Sequence, residues 1–126
     1  LILGLPGDTI PSMLSQPSLL SGLPLDVLKL HQLQIVRNTP LALLYDKQPQ
    51  MFSSLFHTPE AYASLLCEYL RRLRPDMAVA RFTAQSPPEM LVAPMWGMKN
   101  YEFVDLLKRK LREAGARQGD LYVGRP

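Results

Sequence analysis

The stretch Val27 to Val36 (VLKLHQLQIV) does most to narrow what this 126-residue chain can fold into. It runs ten residues without glycine or proline, and its alternation reads as one strand. Val27, Lys29, His31, Leu33 and Ile35 would share one face; Leu28, Leu30, Gln32, Gln34 and Val36 would share the other. Upstream, Leu1 to Leu5 is continuously apolar and is stopped by Pro6-Gly7, the pattern of a parallel strand covered on both faces. Between the two, Thr9 precedes a helical stretch with Pro11 near its first position, interrupted by Pro17 and ending around Ser21-Gly22. Strand–helix–strand with no room for a hairpin predicts a right-handed parallel crossover, and so an α/β fold. Polar residues gather toward the C-terminal end of the second strand, where such folds place their ligands.

Downstream, residues 37–57 hold Pro40 and Pro49 and show no sustained period, so they read as a long ordered loop with a short helical turn at Leu41 to Tyr45. Thr58-Pro59-Glu60 opens a helix with a cap, a proline at its first position and an acid in its first turn. Tyr62, Leu65, Leu66, Tyr69, Leu70 and Leu73 form its apolar stripe, and Pro75 stops it. Met77 to Thr83 reads as a strand with Ala78, Ala80 and Phe82 on one side and Arg81 on the other. Met90 to Pro94 reads as another. Asn100 is placed to cap a last helix with Phe103, Leu106, Leu107 and Leu111 inward, ended by Gly115; the tail from Ala116 to Pro126 reads as extended.

Composition bounds the function. Hydrophobic residues make up 47%, enough for a core, and no apolar run approaches the roughly 20 residues of a membrane span. Pro6, Gly7 and Asp8 interrupt the start before a secretory h-region forms, and the single cysteine, Cys67, fits a cytoplasmic origin. The net charge of +3 is a modest excess. Its one basic run, Lys108, Arg109, Lys110 and Arg112, reads either as a solvated helix face or as a contact for RNA or an acidic partner. Leu1 in place of an initial methionine suggests a piece of a longer protein.

Several residues invite chemistry, each against a plainer use. Gly4-Leu5-Pro6-Gly7-Asp8 is either a tight strand-to-helix turn or a close backbone approach to a nucleotide; it lacks the glycines and the lysine of a phosphate loop. Lys29 and His31 share a strand face that is either solvated or, in a barrel, lumenal. Arg81 must reach a carboxylate, an anionic ligand or water, so it is either in a buried ion pair or a substrate contact. His57 reads as a capping or surface histidine, and Met95-Trp96-Gly97-Met98 as core packing or a hydrophobic lid over a pocket.

Together these phrases resemble one family. Leu1 to Asp8 resembles the "LIxGLPGE" segment on the fifth barrel strand of many radical S-adenosylmethionine (SAM) enzymes. Leu28 to Thr39 is similar to the "IKLHxLHIVKGT" segment of a narrower group, the bacterial YhcC-like radical SAM proteins, relatives of the elongator catalytic subunit named as Fe–S oxidoreductases. The same group shows an arginine strand like Ala80 to Ala84, an "LxAPxW" segment like Leu91 to Trp96, and a tail like Arg117-Gln118-Gly119 followed by Gly124-Arg125-Pro126. Asp8 stands where the group has glutamate, and Gln34 where it has a second histidine.

The resemblance implies the C-terminal part of a partial (β/α)6 TIM-type barrel: residues 1–45 as its last two β/α units and 46–126 as an α+β C-terminal extension. It implies a parent that holds a [4Fe–4S] cluster on a three-cysteine loop upstream, and that cleaves SAM to a 5′-deoxyadenosyl radical. In this chain it implies a SAM-side surface from Ile2, Leu3, Gly4, His31, Gln32 and Leu33, with Lys29 and Arg81 toward substrate. No cluster or SAM is expected on the chain alone, which should be inactive. Expected partners are the missing N-terminal half of the barrel or a second copy covering the exposed strands, with RNA as the alternative through Arg71, Arg72, Arg74 and the 108–112 run, and no membrane.

Overall fold

A computed structural model describes residues 1–124. Arg125 and Pro126, the end of the predicted tail and of the Gly124-Arg125-Pro126 segment, lie outside the described residues. The elements, in order, are β1 (Ile2–Leu3), α1 (Ile10–Leu14), α2 (Gln16–Ser21), β2 (Val27–Lys29), β3 (His31–Gln32), β4 (Ile35–Val36), α3 (Pro40–Lys47), a 3-10 turn (Pro49–Phe52), α4 (Pro59–Arg72), β5 (Ala78–Arg81), β6 (Leu91–Ala93) and α5 (Asn100–Glu113).

The predicted parallel crossover is present in short form. β1 runs parallel to β3, with Ile2 opposite His31 and Leu3 opposite Gln32. The Leu33 N–H also donates to the Leu3 carbonyl at 2.9 Å. β2 is parallel to β5, and β4 is antiparallel to β6. The single predicted strand Val27–Val36 is therefore three short strands, because it trades neighbours along its length. The sheets are small, each of two strands, and no barrel wall is closed by them. The strand predicted at Leu1–Leu5 is paired only at its centre and covered on one side only: Leu3 is fully buried while Ile2 is 39% exposed.

The chain packs two apolar clusters. The larger joins Leu3, Met13, Leu28 and Leu30 to the inner faces of α4 and α5, so it draws residues from both sides of position 45. The smaller holds Leu33, Ile35, Phe52, Leu55 and Ala93. Along Val27–Val36 the covered side passes from the even positions 28, 30 and 32 to the odd positions 33 and 35.

Local chemistry explains the helix starts. Thr9 accepts from the Ser12 N–H and the Ser12 hydroxyl answers the Thr9 N–H, a reciprocal cap; Pro17 then falls in the first turn of α2 instead of inside one helix. Thr58 caps α4 through the Ala61 N–H at 3.2 Å. The same grammar operates at Thr39-Pro40: Thr39 accepts from the Ala42 N–H, and residues 40–47 form an eight-residue helix in place of the expected loop with one turn. α5 starts one residue earlier than read, with Lys99 as its cap and Asn100 already inside. Gly115, with φ of +61°, ends it.

The tail after α5 is not extended; it turns at residues 118–121 and latches onto the end of α4. The Gly119 and Leu121 N–H groups donate to the Leu70 and Arg71 carbonyls at 2.9 and 2.8 Å, satisfying groups that a helix end leaves open. The Gln118 amide donates to the Arg74 and Met77 carbonyls, and Asp120 sits 3.0 Å from the Arg71 guanidinium. Partial desolvation pushes the Asp120 carboxyl up, but the Arg71 hydrogen bond, the Arg117 N–H and both positive charges outweigh it, so it ends below its ordinary value. A depressed carboxyl contributes stability above its unfolded value and loses it as pH falls through the folded one. Protection of the Gly119 and Leu121 amides against hydrogen exchange should therefore hold from pH 7 to about 4 and drop below it. In Asp120→Asn the protection should be lower throughout and flat across that range.

Among the described residues, no helix is long and apolar enough to cross a membrane.

Candidate functional site

The two sides of the Val27–Val36 segment offer different chemistry. On the first, Ile2, Val27, Lys29 and His31 lie together. Ile2 and His31 are register partners, Val27 is 55% exposed, and Lys29 is exposed. This is the face on which SAM-side and substrate residues were expected; Ile2, Val27 and Lys29 are exposed on it and His31 is half-buried. Gly4 lies buried at its edge with φ of +89°, and a Cβ there would stand 2.8 Å from the Ser54 carbonyl oxygen and 3.1 Å from the Phe56 ring. The glycine is thus required by its own neighbours, which favours the tight-turn reading; the Leu5 N–H closing on the Asp8 carboxylate completes that turn.

Other predicted residues part company with this face. Leu3 is core, and Leu33 is buried in the smaller cluster. Arg81 is corrected most: it is solvent-exposed, not in a buried ion pair, and its register partner is Lys29. It lies at the end of β5, where Val79 rather than Ala78 and Ala80 turns inward, so water solvates the guanidinium. Its backbone carbonyl, accepting from the Leu30 N–H at 2.9 Å, is what the sheet uses.

On the opposite side, Gln32 and Gln34 face a cavity of about 340 Å3. Its walls come from the loop after β5, the loop after β6 and the first turn of α5. Gln32 is buried and clamps Ala84 from both sides: its amide donates to the Ala84 carbonyl and its oxygen accepts the Ala84 N–H, both at 3.1 Å. Gln34 donates to the same carbonyl at 3.1 Å and accepts from the Ser86 hydroxyl at 2.6 Å. Two strand glutamines thereby hold a loop that has little secondary structure of its own. The Thr83 hydroxyl bonds the Asn100 amide oxygen and ties the loop to α5.

Met95-Trp96-Gly97-Met98 takes the core-packing use at Trp96. Trp96 stacks on Phe103 with centroids 5.8 Å apart and donates its indole N–H to the Phe56 carbonyl at 2.9 Å, while Met95, 64% exposed, edges the cavity. Sequence reading missed the cavity. The signal it passed over was the pair of glutamines two residues apart on one strand face.

The basic residues divide. Arg71 and Arg72 pair with Glu68, and Arg71 also with Asp120. Arg74 pairs with Asp76 and donates to carbonyls of the 21–25 turn. Arg71 thereby ties α4 to the tail and Arg74 ties the chain just past α4 to the 21–25 turn, while the Arg72 bonds lie within α4. Lys108, Arg109 and Arg112 face solvent on α5. Cys67 is buried on α4; burial and then Glu68 push its thiol up. His57 is exposed, as read.

Residues 25–113, from just before β2 to the end of α5, match the model of the radical SAM C-terminal domain. The chain belongs to that family. It is 28% identical over 122 residues to the uncharacterized protein YtqA of Bacillus subtilis, a match covering 97% of this chain and 37% of that protein. It is 29% identical over 119 residues to the uncharacterized protein MJ0486 of Methanocaldococcus jannaschii, covering 94% of this chain and 36% of that protein. The chain thus spans little more than a third of the length of these curated relatives. As a radical SAM C-terminal domain it is a mixed α/β unit, and the family ties it to enzymes that use a [4Fe–4S] cluster and SAM. The cluster does not fit here: this chain has one thiol, buried inside α4, where three thiolates are needed.

Proposed function

We propose that this chain is the C-terminal portion of a radical SAM Fe–S oxidoreductase of the YhcC-like kind, whose longer parent cleaves SAM to a 5′-deoxyadenosyl radical. The observation that carries the reading is the family match over residues 25–113. In the parent, β1 and the β2–β3 segment would be the last strands of the partial barrel, within residues 1–45, and residues 46–126 its extension. The remaining strands of the barrel are the partner for the open face. Its aliphatic Ile2 beside the His31 imidazole suits the flat, largely apolar face of a purine, which would place the adenosyl part of SAM there. When bound, the cluster and SAM would supply the radical chemistry. The residues of this chain would contribute surface and orientation, with Lys29 as the cation nearest to a substrate. Gln32 and Leu33, whose side chains are committed to the Ala84 clamp and the smaller cluster, would reach that face only through their backbone.

The test compares two proteins after anaerobic iron–sulfur reconstitution. The full-length parent is expected to release 5′-deoxyadenosine from SAM under reduction, and Ile2→Glu in the parent should weaken SAM binding without removing the cluster absorbance. The 126-residue chain alone should take up no cluster and release none. A reconstituted parent that leaves SAM intact, or an isolated chain that binds a cluster, overturns the reading.

A further inference from the structure

The cavity behind Gln32 and Gln34 is used by nothing proposed above, and its lining has a consistent chemistry. One wall is the Trp96–Phe103 stack, and Met95, Met98, Pro88 and Pro94 extend the apolar surface. Its polar groups are biased toward donors. The Gln32 and Gln34 amide nitrogens each carry two N–H groups, and the Ala84 carbonyl takes one from each. The Asn100 amide oxygen is engaged by Thr83, which leaves its NH2 to donate. Lys99, exposed and with its ammonium 6.0 Å from the Tyr101 ring centroid, borders the cavity within a side-chain rotation of its mouth, and among the described lining residues there is no aspartate or glutamate. An excess of donors and one cation, beside an aromatic wall, is complementary to an acceptor-rich anion with an apolar body. About 340 Å3 lies within the range of pockets that take small organic ligands and leaves room for a ring and a short chain.

We infer that this cavity is a binding site for a small organic carboxylate with a ring-sized apolar body. The body lies against Trp96 and Phe103, and the carboxylate lies among Lys99, the Asn100 NH2 and the free N–H of Gln34. The glutamine clamps on Ala84 and Ser86 hold the opposite wall in place before the ligand arrives, which lowers the ordering cost of binding. The site stands on this chain's geometry and not on the SAM reading; either can fail without the other.

Calorimetric titration of the full-length protein, without cluster or SAM, provides the test. 4-Phenylbutyrate is the probe and 4-phenylbutyramide its uncharged match. The acid should bind saturably, with a dissociation constant on the order of 1 mM or below, and the amide more weakly. Lys99→Met should weaken the acid at least about threefold and leave the amide unchanged. Met95→Trp, which crowds the mouth from an exposed position and spares the core, should weaken both. Thermal melting of each variant separates lost binding from lost folding. The inference is overturned if neither probe binds saturably, if acid and amide bind alike, or if folded Lys99→Met and Met95→Trp bind the acid as the parent does.

Discussion

Truncating Tyr62 to alanine should destabilise this chain by about 3–5 kcal/mol. Against a domain stability of about 5–15 kcal/mol, this is a large part of the whole, and at the lower end it brings the chain to the point of unfolding at 25 °C. The ring is fully buried and central to an aromatic cluster, with Phe56, Phe103 and Trp96 at centroid distances of 5.2, 5.4 and 5.6 Å. Its hydroxyl donates to the Phe82 carbonyl at 2.7 Å, tying α4 to the end of β5. Burial, with Tyr69 adding to it, pushes the phenol far above its ordinary range, so it is a neutral donor at pH 7. Tyr62→Phe keeps the ring and loses only that bond, an expected loss of about 1–2 kcal/mol. Urea denaturation followed through Trp96, the chain's one tryptophan, reads both variants from inside the cluster. An alanine variant with the parent midpoint would mean that this cluster does not hold α4 against α5.

Gly4→Ala should lose about 2–4 kcal/mol, combining a left-handed backbone with an overpacked contact. The Ser54 carbonyl oxygen, 2.8 Å from the added carbon, cannot move aside as a flexible side chain would. The midpoint of chemical denaturation measures this. It also separates the two readings of the Gly4–Asp8 turn. If the glycine serves packing, stability falls whether or not SAM is present. If it serves the approach of a nucleotide, the midpoint stays put and only SAM affinity in the parent changes.

What could be read in advance followed local rules. The stripe of α4 was legible because Tyr62 through Leu73 repeat at three and four, and the Thr-Pro-Glu start states its own cap. The parallel pairing of β1 was legible because a helix-sized connection leaves no hairpin. The 37–57 segment was misread because Pro40 was treated as a break, although after Thr39 it occupies a first helical position. Arg81 was misread because a lone charge among small residues suggests burial only if the strand is covered on both faces, and β5 is not. The latch of the tail on α4, and the cavity, depend on pairs such as Gln118 with Met77 or Gln32 with Ala84, 41 and 52 residues apart. No window along the chain contains both partners. The resemblance to radical SAM proteins was legible in short phrases; the cavity's lining, gathered from three separate loops and strands, was not.

The change of covered side along Val27–Val36 has a consequence for how the sequence can drift. The chain steps from the larger apolar cluster at Leu30 to the smaller one at Leu33, and back again between the adjacent Leu55 and Phe56. Main-chain hydrogen bonds, indifferent to side-chain identity, hold the first of these crossings. Volume can therefore be traded among Leu33, Ile35, Phe52 and Leu55 with little demand on the residues lining α4 and α5. The domain can diverge as two small mosaics sharing one seam, conserving the seam's direction while the tiles on either side change.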